Sequence, residues 1–129
     1  MSLVTHILLL LLAPTAEPAA SPALAACQAL AKNDPVGIDR CLTHVKYFET
    51  APDLILACAK FSPGFDARFR CLKSGANLEA FHLCDATGWR LETKLSCLRA
   101  YPSKETMRSC RRQGGKEEDQ LDCVRLGRD

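Results

Sequence analysis

Eight cysteines stand at Cys27, Cys41, Cys58, Cys71, Cys84, Cys97, Cys110 and Cys123, and the last six fall 13 residues apart. No other feature of this 129-residue chain limits its fold as tightly. An even, dense set of cysteines marks a disulfide scaffold in an oxidising compartment. Regular spacing adds that the scaffold is built from repeats. Taken in alternate pairs, the cysteines define four units, the first C-x13-C and the other three C-x12-C.

Two kinds of segment alternate. In the first kind the residue three before the cysteine is apolar (Leu24, Ile55, Phe81 and Met107), which puts it on the cysteine's face of a helix. Helix-start chemistry precedes these segments at Ser21-Pro22, Thr50 to Asp53, Asn77 and Ser103, and stop signals follow at Ser62 to Gly64, Gly88 and Gly114-Gly115. In the second kind the cysteine is followed by Leu42, Leu72, Leu98 or Val124, and Phe69, Leu95 and Leu121 stand two before it. Phe65, Phe69 and Leu72 run i, i+4, i+7, one apolar helical stripe, and Leu91, Leu95 and Leu98 repeat it. The pattern predicts eight short helices, each with a cysteine near its middle.

Such helices are marginal alone in water. A disulfide closing a loop of about 14 residues contributes roughly 3 kcal/mol in the chain-entropy model. The simplest pairing lies within each hairpin: 27 with 41, 58 with 71, 84 with 97 and 110 with 123. The alternative joins successive hairpins and leaves Cys27 and Cys123 without partners. The expected fold is all-α, four disulfide-linked hairpins forming a short α-solenoid or a compact helical bundle. Residues 103–129 hold seven Lys or Arg and six Asp or Glu with no aromatic, the polarity of a solenoid's terminal cap. The aromatics Tyr47, Phe48, Phe61, Phe65, Phe69, Phe81 and Trp89 are expected to fill the core between the second and third hairpins.

The amino end, residues 1–20, reads as an export signal: an apolar run over 7–13, too short to span a bilayer, then prolines and small residues. Cleavage is expected between Thr15 and Ala20, leaving a cysteine-rich helical repeat domain over 21–129 with no transmembrane segment, secreted or periplasmic. Leu24-Ala25-Ala26-Cys27 also has the form of a lipobox, so a lipoprotein anchored through Cys27 is the alternative. Formal charge is +2, and loss of the leader's Glu17 makes it +3, too little to require nucleic acid or an anionic membrane as partner.

Candidate chemistry is sparse. No two cysteines lie within the C-x2-4-C spacing of a zinc knuckle, and no metal or cofactor is expected. His44 and His82 fall on different kinds of helix and outside any nucleophile motif, and His82 is expected to be partly buried. The carboxylates at 117, 118, 119 and 122 read as a solvated cap. The one basic cluster, Arg108, Arg111, Arg112 and Lys116, is a candidate grip for an anionic partner, with the acids that follow expected to neutralise most of its field. Trp89, just after the Gly88 turn, is a candidate binding aromatic, with core packing as the competing role.

Lys46-Tyr47-Phe48-Glu49 leading to Cys58, and Phe65-Asp66 leading to Cys71-Leu72, resemble repeats in uncharacterised exported proteins of predatory bacteria. The resemblance covers residues 36 to about 100 and implies no known activity. The mitochondrial coiled-coil-helix family fits less well, since its hairpins carry paired C-x9-C motifs and two disulfides each. Stacked hairpins give a broad surface and no convergent catalytic set is visible, so the expected function is non-enzymatic binding, with a protein or envelope component as partner. The alternatives are an enzyme or enzyme inhibitor acting at the cell envelope, or a lipid-anchored structural protein.

Overall fold

A computed structural model describes residues 21–61 and 63–127. The leader expected over 1–20 lies outside them. Among the described residues there are eight helices and no strand: α1 (Pro22–Ala31), α2 (Pro35–Phe48), α3 (Pro52–Cys58), α4 (Phe65–Lys73), α5 (Leu78–Asp85), α6 (Leu91–Ala100), α7 (Lys104–Gln113) and α8 (Glu117–Leu126). None is long and apolar enough to cross a membrane.

The helices begin largely where side chains can satisfy their first amides. Ser21, Asp34, Asn77 and Ser103 each accept a hydrogen bond from the backbone N–H three residues on. Thr50 does not cap α3; Ala51 holds that position without a side-chain bond, and Pro52 at the first turn removes one donor that would need a partner. Gly88, at φ +75, turns the chain between α5 and α6, and beside it the Thr87 hydroxyl donates to the Cys84 carbonyl and accepts from the Trp89 N–H. That bonding ties the turn to the end of α5.

Each disulfide joins the two helices of one hairpin: 27–41, 58–71, 84–97 and 110–123, with Cα atoms 5.6, 5.5, 5.8 and 5.6 Å apart. Those separations fit unstrained bridging of antiparallel neighbours. Cys27 is buried in its bond to Cys41, so no thiol remains there to carry a lipid, which corrects the lipoprotein alternative. Four disulfides place the folded chain in an oxidising compartment.

The first helices of the hairpins pack in series, α1 on α3, α3 on α5 and α5 on α7, and the second helices do the same, α2 on α4, α4 on α6 and α6 on α8. Beyond the hairpins themselves, α1 also touches α4, and no packing joins hairpins that are not adjacent. That is the nearest-neighbour pattern of a short solenoid. Its core is one continuous cluster running from Ala26 and Leu30 through Ile55, Leu72, Phe81 and Leu95 to Met107, Leu121 and Val124. Among the described residues, the first and last hairpins contribute fewer large side chains to this cluster, each packing against one other hairpin.

Arginines clasp the repeat boundaries. Arg68, only 5 % exposed, donates from Nε to the Leu30 carbonyl near the end of α1. There its cation complements the negative end of the helix dipole. Arg70 forks onto Glu92 with bonds of 2.8 and 2.7 Å, joining α4 to α6. Arg90 spans Glu117 and Glu118, and Thr93 donates to Glu117 at 2.6 Å, joining α6 to α8. Exposed pairs of this kind contribute little net stability but fix how one repeat sits on the next.

Two expectations about aromatics fail. Phe69, Phe81 and Trp89 are core residues, but Tyr47 and Phe48 are 81 % and 62 % exposed. The reason is length: α2 has 14 residues and its hairpin partner α1 has 10. At 1.5 Å per residue α2 is about 6 Å longer, and its last turn has no helix to cover it. His82, expected to be partly buried, is exposed on the outer face of α5 with its ring edge-on to Phe81.

Candidate binding cleft and the basic cluster

The overhang of α2 forms one wall of a cleft of about 510 Å³. The other walls are the start of α3, the end of α4 and the Gly75–Leu78 link into α5. Buried Leu54, Leu72 and Ala76 make an apolar floor, while Glu49, Asp53, Lys73 and Asn77 stand exposed at the rim. Glu49 takes the left-handed conformation at φ 52 to end α2 and turn the chain toward Pro52. Gly75, at φ +72, makes the corresponding turn after α4, where a side chain would be strained.

His44 stands between this cleft and a shallower groove of about 490 Å³ lined by Arg40, Tyr47, Phe48 and Phe69. Its ring lies 4.5 Å from Phe48 and 5.9 Å from Phe69. Burial among these rings holds the imidazole pKa below its ordinary value; a hydrogen bond to the Leu72 carbonyl opposes the shift and the Lys73 charge adds to it. Phe69 in turn carries two cations, the Arg40 guanidinium 4.7 Å and the Lys73 ammonium 5.1 Å from its centroid. The arrangement is a preformed amphipathic cleft beside an exposed aromatic shelf. Pockets of this size and character take apolar groups and orient them by a few polar contacts.

The site residues expected from sequence lie elsewhere. Trp89 is 7 % exposed and belongs to the core, the competing role for it. Gly88 turns it inward, and Arg111 covers it with its guanidinium 5.7 Å from the ring. Arg111 also donates to Gln120 at 3.0 Å. Arg108 and Arg112 are exposed on α7, and Lys116 is exposed at the start of α8. The acids that follow the cluster take other partners: Glu117 and Glu118 turn to Arg90, Asp119 accepts from the Lys116 backbone N–H, and Asp122 pairs with Arg125. Thr93 is the first cause of a lowered Glu117 pKa, with the Arg90 backbone and side chain adding to it.

A second cleft, about 420 Å³, runs between α5 and α7 and brings His82 near Glu79, Lys104 and Arg111. His82 forms no ion pair with a carboxylate among the described residues. No cluster of three metal-ligating side chains occurs among the described residues. Placing Tyr47 and Phe48 with the core aromatics hides the cleft. The visible signal was the adjacent pair Tyr47-Phe48 at the end of the one hairpin with an extra residue. Comparison of the chain with known protein families, with characterised proteins and with solved structures finds no match.

Proposed function

We propose that this chain is an exported, non-catalytic binding protein whose disulfide-held repeats present the α2 shelf and its cleft to a protein or other envelope component. The observation that carries this reading is the exposure of Tyr47 and Phe48, 81 % and 62 %, beside a cleft with an apolar floor. Two adjoining aromatics left open at a preformed pocket are the usual anchors of an interface. The catalytic alternative has less support, because His44 and His82 line separate clefts and neither forms an ion pair with a carboxylate among the described residues.

The test is photo-crosslinking in the protein's own host, with p-benzoylphenylalanine replacing Tyr47 in one strain and Lys60, exposed beyond the end of α3 and outside both clefts, in another. A discrete adduct from position 47, absent from position 60 and lost when Ala76→Phe fills the cleft floor, is the expected result. Identical adducts from both positions, or none from position 47, would overturn the reading. A reduced-versus-oxidised intact mass of the Ala76→Phe protein checks that its four disulfides still form.

A further inference from the structure

The basic cluster has a geometry that the chain order conceals. On α7, Lys104, Arg108 and Arg112 recur every four residues, so their side chains rise along one exposed face. At 1.5 Å per residue the three cations span about 12 Å, one every ~6 Å. Arg111 flanks the row on the Trp89 side. Lys104, Arg108 and Arg112 form no ion pair or hydrogen bond with their side chains among the described residues. Of the acids of α8, Glu117 and Glu118 turn to Arg90 and Asp122 to Arg125, while Asp119 accepts from the Lys116 backbone N–H. Two carboxylates remain near the row, Glu105 on α7 and Glu79 across the second cleft, and neither forms an ion pair with it. With Lys116 and Asp119 at its far end counted, five cations against three acids leave the face net positive.

We propose that this α7 ridge is a second interaction surface, distinct from the cleft, that binds a linear polyanionic glycan. Arginine favours the choice, since its planar fork pairs two-pronged with sulfate, phosphate or carboxylate oxygens. A linear chain with an anionic group on successive sugars matches a straight row of cations. A bilayer fits less well: Met107, the one large apolar side chain of α7, is buried in the core, so the helix offers nothing to insert. Single-stranded nucleic acid fits less well too, because α7 and α8 carry no aromatic on which bases could stack.

The probe is a heparin oligosaccharide titrated into the full oxidised protein at about 0.15 M salt, where weak long-range attraction is screened. Arg108→Gln with Arg112→Gln is expected to raise its Kd about tenfold, through two lost charge-assisted contacts. Lys32→Gln with Lys60→Gln removes the same charge elsewhere on the exposed surface and is expected to change Kd less than twofold. Equal losses in the two variants would reduce the effect to net charge and overturn the proposal. So would duplex DNA or phosphatidylglycerol vesicles binding as tightly as heparin, or an α7 variant that binds like the parent. Both α7 positions are exposed, and crosslinking at position 47 is a separate readout, so failure here leaves the cleft reading standing.

Discussion

At the scale of single residues, His44 and Gly37 show how closely the first hairpin is fitted. His44 has a folded pKa below its unfolded value of about 6.5. Above that value both states are neutral and the residue adds no pH dependence. As pH falls through 6.5 the unfolded chain takes up the proton first, so stability drops until the folded-state value is passed. His44→Gln is expected to flatten this part of the urea midpoint between pH 7 and pH 5; an unchanged slope in that variant sinks the assignment. Gly37 lies inside α2, where alanine ordinarily favours the helix by about 1 kcal/mol. Here an added Cβ would sit 2.8 Å from the Ala31 Cβ and 3.1 Å from the Phe65 ring, and neither backbone-anchored Ala31 nor its hairpin can yield cheaply. Overpacking of ~1–3 kcal/mol should outweigh the propensity gain, so Gly37→Ala is expected to lower the thermal midpoint. A rise in that midpoint would mean that α1 and α2 can separate without loss.

At the scale of elements, the cysteine spacing and its apolar companions determine eight helices and their pairing, because both depend on local period and loop length. The clasps between hairpins depend on neither. Arg70 meets Glu92 and Arg90 meets Glu117 only after the second helices stack, and no short-range pattern brings together residues 22 or 27 apart. The same limit hid the cleft, since the exposure of Phe48 follows from the end of α1 and not from anything near Phe48. It also hid the partners of the acids after the α7 ridge, since Glu117 and Glu118 are adjacent to it in sequence and turn to Arg90 in space. Glu117 is the central acceptor of the last clasp, taking bonds from the Arg90 backbone, the Arg90 side chain and Thr93. Its lowered pKa means that its contribution is present above the ordinary carboxylate range and lost as pH falls through the folded value. Glu117→Gln is therefore expected to destabilise the protein at pH 7 and to narrow the difference from the parent at pH 3. Hydrogen exchange should report the loss first in α8. A uniform loss along the chain would show that the clasp serves the whole fold rather than one boundary.

At the scale of the whole molecule, packing confined to neighbouring hairpins makes the chain a one-dimensional array, and its disulfides need not be equivalent. Each closes a loop of 13 or 14 residues, so the chain-entropy contribution is nearly the same for all four, roughly 3 kcal/mol each. What differs is what depends on each hairpin. The fourth rests on the third alone, through α5 against α7 and α6 against α8. The third supports neighbours on both sides, and through it α7 and α8 connect with the rest of the core. Replacing Cys110 and Cys123 with alanine should free α7 and α8 to open locally while α1 to α6 keep their exchange protection. Replacing Cys84 and Cys97 should lower protection from α5 through α8 and leave α1 to α4 as the most protected unit, although the thermodynamic loss on the third hairpin is similar. Amide exchange by mass spectrometry on the two paired variants separates these patterns directly. If removing the terminal disulfide exposed α1 to α4 as readily as α7 and α8, the hairpins would form one cooperative bundle, and the α2 cleft and the α7 ridge could no longer be treated as independently supported surfaces.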